Sequence, residues 1–448
     1  MVGRRELVYW NRSPQTMEAL ATPQTEPTKK TGITRGQWLV LIAAFLGWLF
    51  DGFEMGLFSV VARPALMTFA PPGVPVDGFV GDWLGKITAA FLLGAAAGGL
   101  VFGWLGDRIG RVRAMAVSIL TYSLFTALAF FAQSPEQLAM FRFIAALGMG
   151  GEWSLGVALV MECWPEKLRP LMAGFIGAAA NVGFLLVGWV AKTWPVTQQS
   201  WRWMFLVGAL PALLVFLIRM FVPESEKWKA VAHPGNKPLR EVFRPPLLKH
   251  MLFGIAFASI ALIGTWGSIQ WIPSWVDQLT DGKLPAAKAN AHMASSYGAI
   301  VGSLLGPLIG GKIGRRLAFF GLCLGSLIIC QAMFRGFESY STNLLIVIFF
   351  AGLFTAAFYG WFPLYLPELF PTRVRATGQG VSYNTGRIFA AFGAVFAGQL
   401  VLSFAGGKDA ASMASAYAKM GGTITLIYVL GMILIWFAPE TKGKPLPE

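Results

Sequence analysis

The chain has 448 residues, 55% of them hydrophobic and only 13% charged, with a mean hydropathy of +0.59. A soluble protein carries about 25% charged residues, so most of this surface faces something apolar, which argues for the lipid bilayer as solvent and against a soluble enzyme. The net charge of +14 is scattered over short loops, without the patch or stripe that nucleic acid needs, and three cysteines (Cys163, Cys323, Cys330) without ligand spacing offer neither a disulfide framework nor a metal site.

In chain order, residues 1–36 are polar and rich in Pro and Thr, with no apolar core of signal-peptide type. They are expected to form a disordered cytoplasmic tail. Twelve apolar runs follow, of the ~17–25 residues needed to cross a membrane or longer: 37–66, 84–105, 112–132, 136–161, 170–191, 201–222, 251–279, 290–311, 317–334, 343–366, 376–403 and 421–438. The fold expected is an all-α membrane protein with an N-terminal six-helix bundle over 37–222 and a C-terminal one over 251–438. A basic linker, 223–250, separates them, and a tail over 439–448 ends the chain. An even number of spans puts both termini on one side. Most of the 36 Lys and Arg fall on that side, which makes it cytoplasmic by the positive-inside rule. The histidines (His233, His250, His292) read as loop or helix-end residues, leaving no histidine relay through the membrane.

The two sets of spans are related. Gly106-Asp107-Arg108-Ile109-Gly110-Arg111 follows span 2, and Gly310-Gly311-Lys312-Ile313-Gly314-Arg315 follows span 8. Glu162, Pro165 and Arg169 after span 4 have the spacing of Glu368, Pro371 and Arg375 after span 10; Pro223-Glu224-Ser225 closes span 6 as Pro439-Glu440-Thr441 closes span 12. Three signatures recurring in order define a duplicated unit. Secondary transporters are built this way, with the substrate site at the repeat interface near the midplane.

Five ionisable residues lie well inside the spans: Asp51, Glu54, Arg142, Glu152 and Arg387. Each costs about 2.5–3.5 kcal/mol at the bilayer centre, so they face one another or a water-filled cavity. Asp51 and Glu54 share one face of span 1, at a depth similar to Arg142 in span 4. Two acids against one arginine leave excess negative charge, and desolvation and like-charge repulsion favour a proton on one acid. A permanent ion pair locking the helices is the alternative. Glu152 reads equally as a second proton station or as the partner of a loop arginine. Arg387 lies near mid-membrane and corresponds, through the repeat, to Asn181 in span 5. No acid lies within one turn of it, so its fork suits a carboxylate ligand, with an inter-helix bridge to Glu54 or Glu152 as the alternative. Trp266, Gln270, Tyr359 and Tyr383 supply aromatic and polar groups for the same ligand.

These motifs carry a family resemblance. Gly103-Trp104-Leu105-Gly106-Asp107-Arg108-Ile109-Gly110-Arg111 resembles the loop 2–3 signature of the major facilitator superfamily, and Arg142 to Gly151 resembles its span-4 signature, with Ala146 where Gly is usual. The resemblance implies contact between spans 1 and 4, and conformational roles for Gly103, Asp107, Arg108, Gly110, Arg111, Glu162, Arg169, Glu368 and Arg375. Asp107 would latch a helix of the other half; Gly311 stands where its counterpart would be. Asp51-Gly52-Phe53-Glu54 is similar to the Asp-Gly-Phe/Tyr-Asp motif of aromatic-acid:proton and sialate:proton symporters, with Glu54 for the second aspartate. Gly386-Arg387 resembles a Gly-Arg of the aromatic-acid group. What this implies is symport of a small organic acid by alternating access, in a bacterial inner membrane, by a monomer. No cofactor would serve beyond the proton gradient, sodium being the other coupling ion. Two other readings stay open: a carrier of neutral or cationic solutes, sugar-like or niacin-like, and a non-transporting receptor on a transporter scaffold.

Overall fold

A computed structural model describes residues 33–448, apart from 75, 195, 232–237, 282 and 407–408. The tail expected over 1–36 therefore lies, as far as residue 32, outside the described residues, as does His233.

Six long helices form the first half: α1 (Arg35–Phe69), α2 (Val76–Ile109), α3 (Arg111–Leu128), α4 (Pro135–Cys163), α5 (Arg169–Thr193) and α6 (Trp201–Arg219). Two short helices, α7 (Glu226–Val231) and α8 (Pro238–Val242), occupy the linker. The second half comprises α9 (Leu247–Gly267), α10 (Ile272–Leu279), α11 (Pro285–Ile313), α12 (Arg315–Gly336), α13 (Thr342–Tyr365), α14 (Arg375–Phe404), α15 (Ala410–Ile424) and α16 (Ile427–Leu434). Among the described residues eleven segments are long and apolar enough to cross a bilayer. α6 covers the remaining expected span, 201–222.

Two spans are interrupted. Span 7 is α9 and α10 joined by the turn Ile269–Trp271. Ser268 turns its hydroxyl back to the Gly264 carbonyl, and Pro273, which has no N–H, begins α10. Span 12 starts at Ala410 and not at 421, eleven residues earlier than expected. Its first turns carry Ser412, Ser415 and Lys419, which hide the helix from a hydropathy reading. Asp409 caps it by accepting from the Ser412 N–H at 2.9 Å.

Close packing sets the helix neighbours. A side chain at Gly52 or Gly183 would strike the facing backbone, Ala180 in one case and Leu49 in the other, so α1 and α5 touch along their main chains. Within the halves α2 and α3 pack on α4, and α11 and α12 on α13. Between them α2 meets α14 and α5 meets α11. Those two contacts are symmetry mates, spans 2 and 11 against spans 5 and 8. Both run through the helix ends on the side of the termini: Gly103 against Ala376, Gly174 against Leu304, Gly311 against Pro170.

Candidate functional site

The three repeated signatures assemble into the same network in each half. Gly110 and Gly314 turn the loops with φ of +106° and +104°, a conformation glycine adopts without strain. The arginine after each bonds the carbonyl before the turn, Arg111 to Gly106 at 2.9 Å and Arg315 to Gly310 at 2.8 Å. Each also pairs with the acid closing the fourth span of its half, Arg111 with Glu162 at 3.1 Å and Arg315 with Glu368 at 2.6 Å. Glu224 caps the start of α3 through the Val112 N–H, as Glu440 caps α12 through Arg315 and Arg316, all at 3.0 Å. Burial of Glu440 opposes its charge, but four backbone N–H groups, from Arg315, Arg316, Thr441 and Lys442, hold its carboxyl below the ordinary value.

Where this network crosses between halves it is one-sided. Asp107 accepts from the N–H groups of Ala376 and Thr377, at 3.3 and 2.7 Å, at the start of α14. Arg375 reaches Glu162 at 2.8 Å, and Arg111 reaches the Thr372 carbonyl at 2.7 Å. On the other seam Gly311 stands in place of the acid and lies against Pro170, the counterpart of Ala376, which has no N–H, while Leu171, the counterpart of Thr377, keeps its own. The acceptor is missing, so the seam packs without a latch. Arg169 bonds Met161 and Glu166 instead of crossing. Arg108 is exposed and lies over the Trp104 ring, apart from the bridges.

Of the mid-membrane charges, Asp51, Glu54, Arg142 and Glu152 are sealed from solvent. Arg142 meets Glu54, with its guanidinium over the rings of Phe58 and Phe91 and Thr126 as a further partner of Glu54. The expected grouping of Asp51, Glu54 and Arg142 is thus divided. Asp51 stands apart, and neither of its oxygens meets a hydrogen-bond partner among the described residues. Glu152 pairs with Arg219 at 2.9 Å. Arg219 is a residue that sequence reasoning missed, because a single arginine at the end of the apolar run 201–222 reads as the first charge of the linker. Its side chain turns back into the bundle, 1% exposed.

Arg387, Asn181, Gln270, Tyr383, Trp266 and Tyr359 all line one cavity between the halves. The cavity lies on the far side of the inter-half contacts from the termini: its lining includes Asn181 and Phe184 on α5 and Ala291 and Ala299 on α11, beyond Gly174 and Leu304. Arg387 forms no ion pair among the described residues. It donates to Asn384 Oδ1 at 3.0 Å and sits over the Tyr383 ring at 5.1 Å. Tyr383 in turn stacks at 4.1 Å on Trp153 of the first half, flooring the cavity. His292, read from the sequence as a helix-end residue, lies two turns inside α11 and lines the cavity.

A helical bundle of two repeated halves with a polar-aromatic cavity between them has the form of a membrane transport protein. The family model described as Major Facilitator Superfamily matches residues 44–311, more than half of the chain, and the chain belongs to that superfamily; a model described as Sugar (and other) transporter matches 293–448. The cis,cis-muconate transport protein of Acinetobacter baylyi is 29% identical over 91% of this chain and 95% of its own. The sialic acid transporter NanX of Escherichia coli is 28% identical over 77% of this chain and 83% of its own. In fold, the chain is similar to the proton:xylose symporter XylE, with a TM-score of 0.73 at 19% identity, covering 92% of this chain and 97% of that one. The protein is a multi-pass integral membrane transporter and not an enzyme.

Proposed function

We propose that the protein takes up a small organic acid together with a proton by alternating access, the acid's carboxylate seated on Arg387 and the proton on Asp51. One observation carries the reading. Among the described residues three acids and three arginines lie at mid-membrane depth, two of each are bridged as Glu54–Arg142 and Glu152–Arg219, and Asp51 and Arg387 are left over. The empty core, with Asp51 ionised and Arg387 charged, is neutral. The fully loaded core, with Asp51 protonated and the substrate carboxylate on Arg387, is neutral again. Substrate alone leaves one negative charge and proton alone one positive charge, and each such charge costs kcal/mol in a low-dielectric core. Charge balance therefore admits the two states that can reorient and penalises the two that would leak.

With the termini in the cytoplasm, the bridges among Asp107, Glu162 and Arg375 close the inner side and the cavity faces outward. Gly103, Gly110, Arg111, Arg169 and Glu368 support this closure, and the halves over 37–222 and 251–438 rock about the site. Muconate and sialate, named for the relatives, are carboxylates, which fits an unbridged guanidinium.

The test is uptake into proteoliposomes under an imposed pH gradient, with labelled sialate, lactate, benzoate, nicotinate and a neutral hexose. Accumulation of an acid that collapses with a protonophore and is lost in Asp51→Asn is the expected result. Gradient-independent hexose uptake that survives Arg387→Ala would overturn it in favour of a neutral-solute carrier.

A further inference from the structure

Apart from the cavity, the first half holds a buried cluster of polar side chains. Gly47 and Asp51 stand one turn, about 6 Å, apart on α1. A side chain at Gly47 would run into Glu152 Oε1 and the Arg219 guanidinium, so Asp51 lies one turn outward of that pair. On α4, Gly148 is one turn outward of Glu152 and abuts the Tyr122 backbone on α3. Two levels result, Asp51 and Tyr122 outward, Glu152 and Arg219 toward the side of the termini. All four side chains are at most 1% exposed. Each keeps a polar atom without a partner: both Asp51 oxygens, the Tyr122 hydroxyl, Glu152 Oε2 and Arg219 Nε. An unpartnered buried polar atom costs about 1–3 kcal/mol, so five of them on four helices are a standing cost that packing does not explain. The charged groups acting on Asp51 are Glu152, Arg219 and, from α14, Arg387; those acting on Tyr122 are Glu152, Asp51 and Arg219. Arg219 also bonds the Ala43 carbonyl of α1 at 3.1 Å, tying α6 to α1 and α4.

We propose that the coupled proton leaves Asp51 through this cluster by transfer to Glu152, with Arg219 as the positioning residue that keeps Glu152 ionised until the proton arrives. The inference rests on the proton-coupled reading above. In the step the O–H bond of protonated Asp51 breaks and a new O–H bond forms at Glu152 Oε2, one turn nearer the termini. Asp51 becomes the carboxylate and Glu152 the neutral acid, so charge is conserved. Neutral Glu152 then binds Arg219 more weakly, which loosens the tie to α4 as the proton passes toward the termini.

Dicyclohexylcarbodiimide, which modifies protonated carboxyls in apolar sites, tests this on the full chain in detergent, with modified peptides mapped by mass spectrometry over a pH series. Arg219→Gln is expected to raise Glu152 modification about tenfold at neutral pH, the equivalent of one unit on its titration curve, and Arg219→Lys to restore the low value. Unchanged Glu152 modification in Arg219→Gln would overturn the proposal. Should that variant not fold, Glu152→Gln reads the same cluster from its other member. Removing the neighbouring negative charge favours the Asp51 carboxylate, so across the pH series Asp51 modification moves to lower pH; if it does not move, the two carboxyls do not communicate and the proposal fails. The measurement needs neither substrate nor gradient, so failed uptake beside the expected labelling would sink the symport reading alone.

Discussion

Arg387 stands one turn beyond Tyr383 on α14, with Asn384 bonding one arm of the fork and the rest directed into the cavity. A planar fork can hold both oxygens of a carboxylate, and an ammonium cannot reproduce that geometry. Arg387→Lys should therefore raise the KM for the transported acid by about tenfold or more, the loss of one charge-assisted bond of ~1.5–3 kcal/mol, while Arg387→Ala should abolish uptake at normal expression. Arg142 has the opposite character. It is spent on Glu54 inside a ring of phenylalanines, and Glu54→Gln leaves a buried guanidinium uncompensated. That variant should lose about 3–5 kcal/mol of stability, read as a lower Tm of the solubilised protein, and removal of both charges should recover part of it. The sequence marks Arg142, Glu54 and Arg387 because charges inside an apolar run are costly. It does not mark Arg219, since the deciding fact is the direction of a side chain at a helix end. Nor does it separate Asp51 from Glu54: three residues apart means a shared face, but 100° per residue still aims the two at different neighbours.

At the scale of the helices, the start of α14 depends on an acid from the other half. Asp107 satisfies two of the free N–H groups there and complements the helix dipole. Asp107→Ala should cost closure about 1–2 kcal/mol, as for loss of an N-cap. A cysteine placed at Thr377 should then react faster with an impermeant maleimide from the side of the termini. Gly311→Asp should fail to build the second latch, because its side chain would press on the Pro170 ring and only the Leu171 N–H stands where Asp107 has two donors, and the same labelling should be unmoved or increased by the clash. Glu440 gives the pH dependence of the α12 cap. Its carboxyl is held below the ordinary value by backbone donors, so the cap's contribution is full above the unfolded-state value, ~4.3, and is lost as pH falls through the lower folded value. Glu440→Gln should flatten the acid limb of the protein's stability profile. The repeat in the sequence told which positions correspond; it could not tell that Gly106 and Glu162 meet on Arg111 while Glu224 caps the next residue, Val112. Span boundaries failed where a helix begins polar, as at Ala410.

Taken as one molecule, the protein is closed on the side of its termini, and its last residues belong to that closure. The Pro447 carbonyl accepts from the Thr372 N–H at 3.2 Å and from Arg375 Nη2 at 2.7 Å, with Leu446 buried beside them. Arg375 uses its other arm to reach Glu162 of the first half. The tail over 439–448 is therefore a strut behind the main inter-half bridge. Arg375 is held by Pro447, and under the alternating access proposed above it must release Glu162 when that side opens, so on that reading the tail acts on the equilibrium between states and not on the site. Deleting residues 445–448 removes about one to two charge-assisted bonds to Arg375 and its neighbour, and a bias of ~1.5–3 kcal/mol would go with them. The population of the form open toward the termini should rise by roughly tenfold or more, since each 1.4 kcal/mol is a factor of ten. Maleimide labelling at Thr377→Cys should report that rise, whereas the affinity of Arg387 for the acid, measured with the outward form trapped, should stay as in the full chain. Lower affinity in the trapped form would place the tail's influence in the cavity itself and contradict the strut.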